Sequence, residues 1–339
     1  MQSVLSSASL GHPALHKLDR YRKGHLQQAQ NRAQREYQQK LADSSSNDPQ
    51  LQVNWFQSMK YAFEEMDDVF KLVNAPDGFH FLDVGCCPGG FSSYILERNL
   101  KTLGTGLSLE VSKGGHDFLL EEQYRHRYEL VWGDITSYQL GNVPLPGRTP
   151  FPPIHPSTFA LVLLDGHPLR TSVSDGSTTK NPQTDQPVHI IGDCLLISQL
   201  IIGLTTVAQG GTVIIKLSRP ERLISAQLMW LFDSLAADIR TWKPVCIHAT
   251  RGTFYLIARG MGFGVNAVMY DGVLQGLKAL WEELILSQRR LRDNDLDFII
   301  EKAVLQGPYS GRLTALSAHI WEVQEAAWKG WRQQVKNGF

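Results

Sequence analysis

The chain is short of most features that would classify it at a glance. No apolar run approaches the roughly 20 residues of a membrane-spanning helix, so a bilayer-crossing helical chain is not expected. Cysteine is scarce: Cys86, Cys87, Cys194 and Cys246 are the four in 339 residues, and none stands in C-x-x-C spacing. That removes the usual grounds for a zinc site or a disulfide framework and fits a reducing compartment. No metal is expected. Neither charge sign is in excess, with 33 basic against 33 acidic side chains. A nucleic-acid partner would therefore have to rest on local patches. G-x-G-x-x-G is missing, which argues against a nicotinamide fingerprint. The N-terminus lacks the apolar core of a signal peptide. It is Ser-rich, with no acid before Asp19 and several bases after it. That pattern is compatible with a mitochondrial transit peptide; cytoplasm or nucleus is expected otherwise.

What is present is a stretch around which the rest is organised, Phe79 to Asn99, FHFLDVGCCPGGFSSYILERN. Phe81-Leu82-Asp83-Val84 reads as a buried strand. Gly85 ends it, Pro88-Gly89-Gly90 turn the chain, and Phe91 to Leu96 begins a helix. A strand, a glycine-rich turn and a helix make a ligand cradle. Glycine there permits close approach of a ligand to the backbone. The helix start offers unpaired N–H groups and a partial positive charge, suited to a carboxylate or a phosphate.

The remainder alternates between strand and helix patterns. Residues 1 to about 50 read as a polar, basic extension, with a helix that buries little and then a linker at 43–49. A solvated helix and a nucleic-acid-binding arm both fit it. Trp55 to Val73 has the spacing of an amphipathic helix. Further strands are expected at 101–109, 128–132, 158–164, 212–216, 243–248 and 253–258, with polar loops at 140–156 and 170–187. A long apolar helix is expected over 190–208. Ser218 and Glu221 have capping-box spacing, opening a helix that runs to about Ala236. The order predicts an α/β fold, a doubly wound, mostly parallel sheet, closed by an antiparallel hairpin at one edge. Residues 51–262 form this unit. Residues 263–339 read as a helical extension whose tryptophans, Trp281, Trp321, Trp328 and Trp331, are expected to be packing anchors rather than base-stacking platforms.

Ligands of such sheets bind at the carboxyl ends of the strands. Asp83 stands at the first of these ends, Ser108 or Glu110 at the second, Asp134 after the third, Asp165 at the fourth and Lys216 at the fifth. Five polar ends on apolar strands would be an odd way to build only a core.

The pattern D-x-G-x-x-P-G-G-F from Asp83 to Phe91, the L-L-D-G ending at Gly166 and the G-G-T-V-I-I-K ending at Lys216 occur in this order. Together they resemble the FtsJ/RrmJ-like S-adenosylmethionine-dependent methyltransferases. The resemblance covers about residues 55 to 260. It implies a Rossmann-like class I methyltransferase, with a seven-stranded sheet whose last strand is antiparallel and with S-adenosylmethionine as cofactor. It also implies ribose 2′-O-methylation, with RNA as partner. Cofactor contacts would fall to Asp83, Gly85, Cys86, Pro88, Gly89, Gly90, Phe91, Ser108, Asp134, Ile135 and Asp165. Asp134 would meet the adenine amino group, and Ser108 would stand where many relatives place an acid on the ribose. The family's Lys-Asp-Lys-Glu set maps to Lys60, Asp165 and Lys216, with Lys71 competing for the first position. Lys216 would be the general base, since removing an amine from water favours its neutral form. The glutamate is missing: where relatives read E-x-Y, this chain has Thr253-Phe254-Tyr255, with Arg251 before it. Plainer readings stand beside these. Asp134 could cap a turn, Lys216 could snorkel from its strand end, and Lys60 could be a solvated helix lysine. The acceptor could also be a small molecule or a protein, and the domain could be a scaffold that only binds S-adenosylmethionine or RNA.

Overall fold

The computed structural model describes residues 5, 10–28, 49–168 and 188–336. Helix α1 (Pro13–Gln28) and helix α2 (Pro49–Phe70) precede strand β1 (His80–Val84). Then come α3 (Gly90–Arg98), β2 (Leu103–Ser108), the short α4 (Glu122–Arg125), β3 (Tyr128–Trp132) and β4 (Phe159–Leu164). The second half runs α5 (Val188–Thr206), β5 (Val207–Ser218), α6 (Leu223–Leu235), β6 (Ala236–Trp242), α7 (Val245–His248) and β7 (Thr253–Met261). Helices α8 (Tyr270–Ser287), α9 (Lys302–Gln306) and α10 (Ser310–Lys336) close the chain.

The strands form one sheet in the order β3-β2-β1-β4-β5-β7-β6. β1 to β5 run parallel, and β7 is antiparallel to both of its neighbours. Chain order reverses between β1 and β4, which opens a crevice at their carboxyl ends. Both faces are covered, so the central strands are apolar without alternation. Phe81, Leu161, Leu163 and Ile214 pack on the side of α2 and α3, while Leu82, Val84, Val162, Val213 and Ile215 pack on the other.

Several expectations are corrected. Lys243–His248 is not a strand. Val245–His248 is a helical turn, and the edge strand is Ala236–Trp242, which begins where the sequence reading ended a helix and assigned no strand. The helix expected to run to 208 ends at Thr206, and the strand expected from 212 begins at Val207 and includes Gly210 and Gly211. Ser218 and Glu221 form no capping box. Arg222 occupies the cap of α6 with no side-chain bond. Glu221 is buried and accepts from Arg22 at 2.8 Å, Arg219 at 2.7 Å and Trp321 Nε1 at 3.0 Å. The N-terminal segment buries more than its polarity suggests, because Leu5, Leu10, Leu15 and Leu18 all enter the core. Trp281 and Trp321 are buried anchors, as expected. The 170–187 loop, and the 43–49 linker up to Pro49, lie outside the described residues.

Candidate active site

At the carboxyl end of β1, Asp83 is 1% exposed. Its Oδ2 accepts from Ser92 Oγ of α3 at 2.7 Å, and that hydroxyl lies 2.9 Å from the Tyr128 hydroxyl of β3. Its Oδ1 is buried with no partner among the described residues. Burial pushes the Asp83 pKa up to about 7; the Ser92 bond opposes this, the nearby Asp165 adds to it and Lys216 opposes it. A lone buried carboxylate oxygen is costly unless a donor reaches it.

The glycine turn follows. Gly85 and Gly89 have φ of 84° and 110°, a region glycine occupies without strain. A Cβ on Gly85 would lie 2.5 Å from Gly166 Cα, and one on Gly90 2.3 Å from Phe56 O. Those two glycines are therefore demanded by the protein's own backbone, where ligand approach was the expected reason. At Gly89 a Cβ would make ordinary contact with Leu120, so there the constraint is the positive φ. Cys86 and Phe91 are buried, and burial pushes the Cys86 thiol well up. The Phe91 ring packs edge-on against Tyr255. Pro88, whose bond to Cys87 is cis, is buried in the same turn.

The second and third strand ends differ from each other. Ser108 is buried at the end of β2. Glu110 turns outward to Lys113, 3.1 Å away, and that bond, with one from Ser112, lowers its pKa. Asp134 caps the turn over Ile135–Ser137. Its Oδ1 takes both the N–H and the hydroxyl of Thr136, at 2.9 and 2.7 Å. Ile135 is buried beside it.

At the ends of β4 and β5 the structure brings two predicted residues together. Lys216 Nζ is 3.0 Å from Asp165 Oδ1 and 2.5 Å from the Asp165 carbonyl oxygen. The Tyr255 hydroxyl of β7 donates to the same Oδ1 at 2.8 Å. His167 Nδ1 lies 3.3 Å from Lys216 Nζ. The Asp165 carboxyl and Lys216 both act on the charge of Asp83, so the pair and the glycine cradle share one crevice. Lys60 does not join them. Its amine is held by Glu97 at 2.6 Å and Glu121 at 3.3 Å. Partial burial lowers its pKa and the two carboxylates more than offset that, for a net rise. Lys71 ends up just past α2 with φ of 53°. Thr253 opens β7 opposite Ser218, and its carbonyl accepts from Lys243 Nζ at 2.8 Å.

Sequence reasoning missed Ser92, Tyr128, Tyr255 and His167. Tyr255 carried the one available signal, a hydroxyl inside the apolar run Phe254–Ile257. No group of His, Cys, Asp and Glu among the described residues is arranged to hold a metal ion, and no described helix is long and apolar enough to cross a membrane. A cleft of about 400 Å³ lies at the opposite, amino-terminal end of the strands, lined by His80, Arg127, His155 and Phe159. Tyr128 also borders it, whereas Asp83, Asp165 and Lys216 do not.

A sheet in this order, with one antiparallel strand between β5 and β6 and polar strand ends gathered at the switch point, defines a Rossmann-like class I methyltransferase. More particularly, the chain belongs to the FtsJ-like methyltransferase family, whose profile matches residues 61–261. The cap-specific mRNA (nucleoside-2′-O-)-methyltransferase 1 of Bos taurus is 27% identical over 233 residues, covering 68% of this chain and 26% of its own length. The Homo sapiens protein of the same name is also 27% identical, with the same coverage. The chain thus spans about a quarter of these relatives. The ribosomal RNA large subunit methyltransferase E of Brachyspira hyodysenteriae is 36% identical over 75 residues, 22% of this chain and 34% of that one. A Plasmodium falciparum chain described as a ribosomal RNA methyltransferase superposes with a TM-score of 0.39 at 18% identity, covering 60% of this chain and 96% of that one.

Proposed function

We propose that the chain transfers a methyl group from S-adenosylmethionine to a ribose 2′-hydroxyl of RNA, with Lys216 as general base and Asp165 as its orienting partner. The observation that carries this reading is the Lys216–Asp165–Tyr255 set standing in the same crevice as the unpaired buried oxygen of Asp83. The choice of RNA rests on the relatives, which are named for mRNA and ribosomal RNA methylation.

The cofactor fits the residues present. Asp83 Oδ1 lacks a donor, and the α-ammonium of S-adenosylmethionine is one. The turn at Gly85 to Gly90 lies beside it. Asp134 keeps Oδ2 clear of its turn bonds, and that oxygen would take the adenine amino group. Ser108 and Ile135 would border the nucleoside. When bound, the cofactor supplies an electrophilic methyl on a sulfonium centre.

The protein's own part is positioning and proton transfer. Asp165, fixed by Tyr255, holds the Lys216 amine at the crevice. Lys216, once neutral, takes the hydroxyl proton as the oxygen attacks. General-base assistance of this kind contributes about 10²- to 10⁴-fold, and holding the two reactants in line contributes further. Lys60 has no part in this step.

Labelled methyl transfer to capped and uncapped RNA tests the reading. Lys216→Ala should lower turnover at least about 100-fold while leaving S-adenosylmethionine affinity within about twofold. Retained turnover in that variant would remove Lys216 as the base.

A further inference from the structure

Lys216 has three N–H bonds as an ammonium, and three acceptors surround it: Asp165 Oδ1, the Asp165 carbonyl oxygen and His167 Nδ1. A fully bonded ammonium has no lone pair with which to accept a proton. If Lys216 is the base, it must first lose a proton, and among the described residues these three acceptors are where its N–H bonds point. The amide carbonyl cannot hold one. A carboxylate and an imidazole can, and the imidazole is ordinarily the stronger base, with a pKa of about 6.5 against about 3.9. Asp165 is also buried and already receives the Tyr255 hydroxyl. His167 is exposed, so a proton placed on it can leave to water.

The surroundings favour the same direction. On the α7 side of Lys216 stands His248, whose pKa is pushed down to about 3 by burial and then by Lys216, Arg251 and Lys243. It is neutral at any working pH, and its Nδ1 is buried without a partner among the described residues. Lys243 nearby is itself buried, its amine tied to the carbonyls of His248, Arg251 and Thr253. Burial, reinforced by Arg22 and opposed by Glu221, pulls its pKa down to about 7. The inner side of Lys216 thus disfavours a further positive charge. On the outer side, His116 of the β2–α4 segment faces the His167 ring at 6.5 Å. Burial lowers the pKa of His116, against the pull of Asp117.

We infer that His167 is the group to which Lys216 yields its proton, leaving a neutral amine facing the ribose hydroxyl. This rests on the reading of Lys216 as the base. The Lys216 N–H bond breaks and its electron pair stays on nitrogen. The proton joins the lone pair on Nδ1 of a neutral imidazole, and the resulting imidazolium releases its Nε2 proton to water. His167 acts through Lys216 rather than on the substrate, as a positioning residue. It supplies an exit for the proton in a chain that has Thr253 where the resemblance calls for a glutamate.

The test pairs a pH–rate profile with a measurement that needs no turnover. His167→Gln keeps a hydrogen-bond acceptor beside Lys216 but cannot take its proton. Its kcat at pH 7 should fall about tenfold or more, with KM within about twofold and the rising limb of the profile displaced by about one pH unit toward alkali. Added imidazole should restore part of the rate in His167→Ala. Wild-type and His167→Gln profiles that overlay would overturn the inference while leaving the methyltransferase reading intact. In cofactor-free protein, ¹⁵N resonances of the His167 ring should show a proton on Nε2, and its titration should move upward when Lys216→Met removes the neighbouring cation. A titration unchanged by Lys216→Met would also overturn the inference. A shifted titration with no methyl transfer by the wild type would instead sustain the Lys216–His167 exchange and defeat the methyltransferase reading.

Discussion

Two buried carboxylates, Asp83 and Glu221, are treated in opposite ways. Glu221 sits where the N-terminal segment, the β5–α6 junction and α10 meet, and every direction around it offers a donor. Burial pushes its pKa up, but Arg22, Arg219 and Trp321 outweigh burial and hold it below the ordinary carboxylate value. Asp83 sits at the switch point of the sheet with one oxygen bonded and the other facing nothing, and it ends near 7. One acid is satisfied by the fold and ties its ends together. The other keeps an oxygen with no donor among the described residues, which is where the proposed cofactor would supply one. A buried polar group with one bond missing is a site to be filled, whereas the same group fully bonded is a joint.

The most damaging way to break this comparison is to remove the joint. Glu221→Gln leaves Arg22 and Arg219 facing each other without their anion. Loss of one partner from a buried ionic cluster costs about 3–5 kcal/mol, so a large drop in denaturant midpoint is expected. The wild-type contribution is present above the unfolded carboxylate pKa and disappears as pH falls through the lowered folded value. The Glu221→Gln penalty should therefore shrink in acid. A variant as stable as wild type at pH 7 would mean that the cluster does not hold the ends.

A gentler substitution sharpens the cofactor side. Asp134→Asn preserves an Oδ1 acceptor for Thr136, so its unfolding free energy should stay within about 0.5 kcal/mol of wild type, the usual range for a surface change. Its S-adenosylmethionine affinity should fall several-fold, because an amide offers the adenine amino group a neutral or mismatched partner. Unchanged affinity would return Asp134 to the role of a turn cap alone.

How much of this was legible in the sequence depended on how local each cause is. Asp83, Gly85, Gly89 and Gly90 announce a cradle because a strand end, a turn and a helix start fall within nine residues. Asp165 and Lys216 are legible as polar ends on apolar runs, and the parallel register then sets them side by side. β6 was hidden because Ala236 and Ala237 continue the apolar tail of α6, and its burial alternates too irregularly to mark a strand. Glu221 was misread because S-x-x-E spacing also arises by chance at a loop, and besides Arg219 its partners are 199 residues before it and 100 after it. Lys60 was assigned from its place on a helix, while its partners, Glu97 and Glu121, come from elements that local patterning cannot place. Ser92 reaches Asp83 from a helix and Tyr128 meets Ser92 from another strand, so both were hidden for the same reason, while Tyr255 showed only as a hydroxyl in an apolar run. The close approaches at Gly85 and Gly90, to Gly166 and Phe56, are likewise tertiary facts.

The central claim is that the unpaired oxygen of Asp83 seats the cationic end of the cofactor, and calorimetric titration with S-adenosylmethionine across pH 5.5 to 7.5 tests it most directly. With a folded pKa near 7, ionised Asp83 must be regained before it can meet an ammonium. Affinity should then rise up to about tenfold per pH unit below 7 and level off above it, with release of up to one proton below pH 7. Asp83→Asn should bind at least about 100-fold more weakly, with no pH dependence in this range. Because a raised carboxyl pKa costs the folded state stability that is lost as pH rises from about 4 to 7 and stays lost above it, the same cofactor-free variant should melt higher than wild type at neutral pH. Affinity indifferent to pH, or an Asp83→Asn variant that binds as well as wild type, would contradict the account.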